Sequence, residues 1–440
     1  MMTYDVQSRL KRFSPSFVLI AASLLFTAAC ETTPSRPPVP ISTGAERPAP
    51  GTVPVDVAEI DETEDEDDET ETADASSVDG YTPPHMVGRD IKRAAVLLPF
   101  SHPRAAIRAE AEGILAGIEL AMFNRGEENF VIFPKDTAGV TSTAKARAEE
   151  ALSEGADIII GPLFAANVKA VRDIAVESDI PVVAFSTLAD AAGGGAYLIS
   201  RSPEEQVTRI VDFAAKKGAT SFAFLGPRSS LGQRAEAALR QQALRNGGRV
   251  LSSAFYDPSN DAPVDAAKQL ASAIEAEGEF TPGSIAILIP EGGVKLRAVA
   301  PLLPYYGVDI RNVQLLGTEQ WNDPSIWREP TLVNGIFAAA DPINAQQFET
   351  EFRRVYNNRA PSSLSSIGYD AGALAAALAA YDKLDVSGVT DRDGFQGVNG
   401  LFRFRTNGTA ERALSVLQIT AREGAVPIES ALDSFDPPAG

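Results

Sequence analysis

The chain of 440 residues contains one cysteine and two histidines. A single thiol excludes an intrachain disulfide and any cysteine-based metal cluster. His85 and His102 leave little for a zinc site or for histidine-dependent acid–base catalysis, so no metal and no cofactor is expected. A basic block is also lacking. Lys and Arg number 39 against 59 Asp and Glu, a formal net charge of −20. Phosphate affinity needs clustered cations, which excludes nucleic acid as a partner. The apolar run at 17–29 has 13 residues, short of the roughly 20 that span a bilayer. Hydrophobic residues nevertheless make up 44% of the chain, enough to bury a sizeable core.

The charge is unevenly spread. Residues 1–30 carry Arg9, Lys11 and Arg12 against Asp5, giving +2. A positive start followed by a short apolar run reads as an export signal over 1–29. It ends Thr27-Ala28-Ala29-Cys30, which resembles a bacterial lipobox. That resemblance implies diacylglycerol on the Cys30 thiol and a membrane anchor, with Glu31 favouring the periplasmic side of the outer membrane. Residues 31–90 hold 16 acids and 3 bases and show no apolar period. Their first half is rich in Pro and Thr; 56–79 holds 13 carboxylates and no base. Proline and like charge both extend a chain, so 30–90 is expected to be a disordered tether.

From residue 94 the pattern is regular. The run 94–98 (AAVLL) is continuously apolar, as in a strand covered on both faces. Ile107, Ala111, Ile114, Leu115, Ile118 and Met122 mark one face of a helix. Strands at 130–133, 157–160, 181–185 and 197–200 alternate with helices at 141–154, 165–178 and 203–217. The alternation repeats with strands at 221–225, 249–255, 284–289 and 313–317 and helices at 231–246, 263–277 and 294–304. This order implies α/β architecture with two doubly wound parallel sheets. Strand 333–339 is followed by two helices, 344–357 and 365–383. Segments 401–404 and 414–420 are expected to pair as a hairpin through Asn407-Gly408.

Several stretches resemble the type I periplasmic binding fold of the leucine-binding group: AVLLPFS (95–101), Gly161-Pro162 with IPVVAFST (180–187), the helix pair around Tyr369-Asp370-Ala371, and the closing hairpin. Within that fold, GPLFAANV (161–168) and PEGGVKLRAVAPLL (290–303) look closer to lipoprotein activators of class A penicillin-binding proteins. The resemblance implies interleaved lobes, 91–200 plus 340–385 and 201–339 plus 386–430, with a tail at 431–440. Hinges would lie near 200–201, 338–340 and 383–386. It implies a non-enzymatic protein tethered to a membrane and partnered with a peptidoglycan synthase. The alternative is a substrate-binding protein of an ABC transporter, holding an amino acid or small polar ligand in the cleft.

Ligands of open α/β sheets sit beyond the C-terminal strand ends. The candidate contacts are therefore Ser101, Asn167, Ser186, Thr187, Arg228, Ser229, Glu319, Trp321, Tyr369 and Asp370. Amino-acid binders of this group carry Ser or Thr on the loop that here reads Leu163-Phe164-Ala165-Ala166. This apolar loop implies weak capture of free amino acids. Ser142 and Lys145 have the SxxK spacing of penicillin-binding active sites, but no SDN or KTG partner exists, and Thr141 or Ser142 is placed to cap a helix.

Overall fold

The computed structural model describes residues 86–259 and 263–435. The export signal, Cys30 and the acidic tract at 56–79 lie outside the described residues. In chain order the first half runs β1 (Lys92–Leu98), α1 (Ala105–Arg125), β2 (Phe130–Asp136), α2 (Thr141–Ser153), β3 (Ile158–Ile160), α3 (Ala165–Ala175), β4 (Val182–Ala184) and β5 (Ala196–Leu198). Then follow α4 (Pro203–Lys216), β6 (Ser221–Pro227), α5 (Ser230–Arg245), β7 (Arg249–Tyr256), α6 (Val264–Glu275), β8 (Ile285–Leu288), α7 (Gly293–Val299), α8 (Leu302–Tyr305), β9 (Val313–Gly317) and β10 (Ile336–Ala339). The last part is α9 (Pro342–Val355), α10 (Ser365–Ala380), α11 (Val386–Val389), β11 (Phe395–Gly397), β12 (Gly400–Phe404), β13 (Ala410–Arg412), β14 (Ser415–Thr420) and β15 (Gly424–Glu429).

Two large sheets result. The first is all parallel, ordered β2-β1-β3-β4-β5. The second is ordered β15-β14-β10-β9-β8-β6-β7, with β14 and β15 antiparallel. Strand periodicity sends alternate side chains to opposite faces. Ala94, Val96 and Leu98 share one core with α1 and α10, while Ala95 and Leu97 share another with α2 and α3. In the second sheet Ala223 and Leu225 face α6, and Phe222 and Phe224 face α4 and α5. Both sheets are covered on both sides, which is why their strands read as unbroken apolar runs.

Helix boundaries follow local chemistry. Ser202 and Glu205 form a reciprocal capping box at the start of α4, with Pro203 at its first position. The single helix expected over 294–304 is two, α7 and α8. Pro301 supplies no N–H to continue the ladder, so the chain breaks there.

The closing segment differs from expectation. Across Asn407-Gly408, β12 pairs with β13, not with 414–420. Residues 415–420 instead form β14, antiparallel to β10 in the other sheet. Phe402, Phe404 and Ala410 pack in the same core as Val96 and Ile160. The Leu198 N–H bonds to the Gly408 carbonyl, so the β12–β13 turn adjoins the edge of the first sheet. Residues 386–412 therefore belong with the first lobe, and only 415–429 of the expected 386–430 join the second. The third crossover lies at 412–415 rather than near 383–386. Apolar packing of the β12–β13 hairpin on the first sheet decides this, against the boundary that the resemblance implied.

The helices α1 and α10 meet at unusually short range. Gly113 and Gly117 of α1 lie against Ser362, Ser365 and Tyr369, and Gly368 and Gly372 of α10 lie against Ile114 and Ile118. A Cβ at Gly117 would stand 2.0 Å from the Ser365 carbonyl oxygen, a backbone atom that cannot rotate away. Gly117→Val should destabilise the chain by about 3 kcal/mol or more, at the upper end of overpacking costs. Chemical denaturation checks this. A loss below about 0.5 kcal/mol, an ordinary surface effect, would show that the two helices separate freely.

Candidate functional site

Loops after the strands of the two large sheets come together where Arg234 reaches Thr187 and where Arg201 reaches Glu319. In the first lobe these loops run directly into α1, α2 and α3, and none of those helices has a side-chain cap. The expected cap on α2 is absent: Val140 occupies that position, and the Thr141 hydroxyl donates to Asn167 Oδ1 at 2.9 Å instead. Uncapped helix starts leave backbone N–H groups and the positive end of the helix dipole free for an anion. Asn167, in the first turn of α3, is 1% exposed, and its Nδ2 has no acceptor among the described residues.

Aromatic groups line the same side. The His102 ring lies 5.6 Å from that of Phe164. His102 Nδ1 accepts from the Arg104 N–H at 3.1 Å, and Arg108 braces the loop through the carbonyls of His102 and Pro103. Ser101 donates its N–H to Asp136 Oδ1 at 3.2 Å. Burial pushes the Asp136 carboxyl up, but hydrogen bonds from Ser101, Ala138 and Phe100 outweigh it and hold the group below its ordinary range. Ser186 is buried, its hydroxyl accepting from the Leu188 N–H at 3.1 Å.

The second lobe contributes a different set. Arg228 lies over the Phe255 ring at 5.4 Å. Ser229 caps α5, accepting from the Gly232 N–H at 3.2 Å. The Tyr256 hydroxyl donates to Glu291 Oε1 at 2.7 Å; burial first, then that carboxylate, pushes the phenol up. Contact between lobes is made by Arg234 of α5. Its guanidinium forks onto Glu204 with two bonds of 2.7 Å and reaches the Thr187 carbonyl at 2.5 Å and hydroxyl at 3.2 Å. Thr187 thus serves as the first lobe's side of a latch.

Beside the crossovers lies a buried polar network. Arg412 and Asp370 are fully buried, Nη1 to Oδ2 at 3.7 Å. Asp370 accepts from the Val398 N–H at 2.7 Å and from Asn399 Nδ2 at 2.8 Å. Arg412 donates to the Ile199 carbonyl, and Arg201 to Asn399. Arg201 also pairs with Glu319 at 2.5 Å, and the Glu319 N–H bonds to Gln206. Crossovers at 199–202 and 412–415 are tied together through these contacts.

Three expected contacts are therefore corrected. Asp370 braces the hinge and is not open to the cleft. Trp321 is fully buried in the second lobe's core, its Nε1 donating to the Ile289 carbonyl at 3.2 Å. Tyr369 packs edge-on to Phe348 of α9 and accepts from Asn124 at the far end of α1, away from the strand ends. Ser101, Asn167, Ser186, Thr187, Arg228, Ser229 and Glu319 do stand at the ends of strands or at the crossovers. The residues missed are Arg234, Arg201, Arg412, Asn399 and the Tyr256–Glu291 pair. Arg412 had a signal: an arginine within a stretch of small and apolar residues needs a partner. Among the described residues no cluster of three or more His, Cys, Asp or Glu is placed to hold a metal, and no helix is long and apolar enough to cross a membrane.

Two α/β lobes joined by three crossovers define a bilobed protein. The chain belongs to the periplasmic binding protein family, whose model matches residues 93–425. No curated protein sequence matches. Among solved structures, a putative branched-chain amino acid ABC transporter protein from Rhodospirillum rubrum superposes with a TM-score of 0.67 at 16% identity, covering 77% of this chain and 100% of that one. An ABC transporter substrate-binding protein from Sphaerobacter thermophilus gives 0.61 at 18%, covering 78% and 97%. A solute-binding protein from Rhodopseudomonas palustris BisB5, in complex with 3,4-dihydroxybenzoic acid, gives 0.55 at 15%, covering 79% and 98%. At such identities these likenesses establish the fold.

Proposed function

We propose that the chain is a non-enzymatic solute receptor of a transport system, whose cleft takes a small carboxylate with an apolar or aromatic body. One observation carries this: α1, α2 and α3 present uncapped N-termini at the strand ends, where the buried Asn167 amide also lacks an acceptor. Backbone N–H groups and helix dipoles favour an anion there. The His102–Phe164 pair suits a flat apolar body better than the hydrophobic–polar mix of a free amino acid. Family membership and the Cys30 junction support a lipid-anchored protein on the periplasmic side, with the outer membrane favoured by Glu31.

Calorimetry and scattering with the soluble chain test this. Benzoate or 3,4-dihydroxybenzoate should bind with compaction of the lobes, and ligand at 100 times Kd should add about 2.7 kcal/mol of stability. Asn167→Ala should weaken that binding about tenfold, the cost of a charge-assisted hydrogen bond. Leucine, valine, glutamate and alanine should show no micromolar affinity. The stretches 161–168 and 290–303 support a second reading, activation of a class A peptidoglycan synthase. Absence of any carboxylate ligand, together with a raised synthase rate on addition of the protein, would replace the first reading by the second.

A further inference from the structure

A groove of about 770 Å³ lies at the end of the first lobe opposite the cleft loops, between the outer face of α1 and β2. Its walls are apolar: Met86, Met122, Phe123 and Ile132. Phe123 is 78% exposed, although such a ring is ordinarily covered. Glu119, Met122, Phe123 and Gly126 follow helical spacing and present one face of α1, while the opposite face is filled by α10. The rim is acidic. Glu128 is neutralised by Arg89 at 3.0 Å, and Glu119 accepts from the Tyr356 hydroxyl at 3.3 Å with no cation paired to it among the described residues. Glu127 lines the groove with no cation paired to it among the described residues. β2 is an edge strand, but Pro134 within it offers no N–H, which blunts strand addition. Recognition here must come from side chains entering the groove.

We propose that this groove docks a segment of a partner protein that combines apolar anchors with Lys or Arg. Charge selects that occupant. Residues 31–85 of the chain itself carry 15 acids and 2 bases, the same sign as the rim. A symmetric contact between two copies would set Glu119 and Glu127 against their own counterparts. An anionic membrane surface is repelled on the same ground. A cationic apolar segment instead buries Phe123 and pairs the free carboxylates. The site lies outside the cleft, so it stands or falls independently of the solute-receptor reading.

The probe is an 18-residue helical peptide of Leu and Lys in amphipathic order, with a Leu/Glu peptide of the same pattern as control. Fluorescence anisotropy with the full chain should show binding of the first and not the second. Phe123→Ser should weaken it about tenfold or more, as for an interface anchor, with an unchanged melting temperature because the ring is exposed. Glu127→Gln should weaken it about threefold and reduce its salt sensitivity. Equal affinity in wild type and Phe123→Ser would overturn the proposal, marking the association as charge attraction to the acidic tract. So would no binding of the Leu/Lys peptide, equal binding of the Leu/Glu peptide, or adsorption to vesicles of anionic phospholipid that Phe123→Ser abolishes.

Discussion

Arg412→Met is expected to destabilise the chain by about 3–5 kcal/mol, the cost of breaking a buried ion pair by removing one partner. The Arg412 side chain is fully buried against the Phe402 ring at 4.7 Å and faces Asp370. Its charge also acts on Glu205, the buried acid of the α4 capping box. Burial pushes both carboxyls above their ordinary range, and Arg412 pulls both back. Without Arg412 both buried acids lose the strongest opposing charge, although Arg201 still acts on Asp370 and Arg405 on Glu205. A raised folded-state pKa gives stability that is fully present below the unfolded value and lost as pH rises through the folded one. Removing Arg412 raises both carboxyls further. The deficit of the variant should therefore be largest near pH 7 and shrink toward about pH 4, where both acids are neutral. Adding Asp370→Asn should restore part of the loss at neutral pH, since the amide oxygen still accepts from the Val398 N–H; Glu205 and the Asn399 amide, which loses its acceptor, account for the remainder. Urea unfolding at several pH values reads all of this. A single-variant loss below about 1 kcal/mol would show that the pair contributes little.

Trp321→Ala should cost about 3–5 kcal/mol, the range for removing a large aromatic from a core. The indole is sandwiched between glycines: a Cβ at Gly317 would approach it to 2.1 Å and one at Gly335 to 2.6 Å. No collapse of neighbours can refill that space without moving backbone, so the upper half of the range applies. The Ile289 carbonyl also loses its donor. The expected readout is a lower denaturation midpoint, with benzoate binding and Leu/Lys-peptide binding reduced together. A normal midpoint with selective loss of ligand or partner binding would instead restore Trp321 as a contact residue.

What the sequence by itself determined was the class of architecture. Apolar runs such as 94–98 and 221–225 and the helical face beginning at Ile107 report local periodicity, and burial on both faces of a parallel sheet leaves that period unmistakable. The helix start at Pro203 and the turn at Asn407-Gly408 were equally local, and the structure has a helix start and a turn at those places. The tertiary structure decided everything that depends on residues far apart in the chain. Asn407-Gly408 specified a turn, but only packing of Phe402 and Phe404 on Val96 and Ile160 chose β13 as the partner and moved the third crossover to 412–415. Trp321 among Glu319, Gln320 and Asn322 read as a polar loop; Gly317 and Gly335, four residues before and fourteen after it, made that position a core pocket. Arg412, Asp370 and Glu205 lie 42 to 207 positions apart in sequence, and no spacing rule joins them. Their meeting is set by where the three crossovers come together. Charge placed in low dielectric is governed by that three-dimensional proximity, which periodicity does not encode.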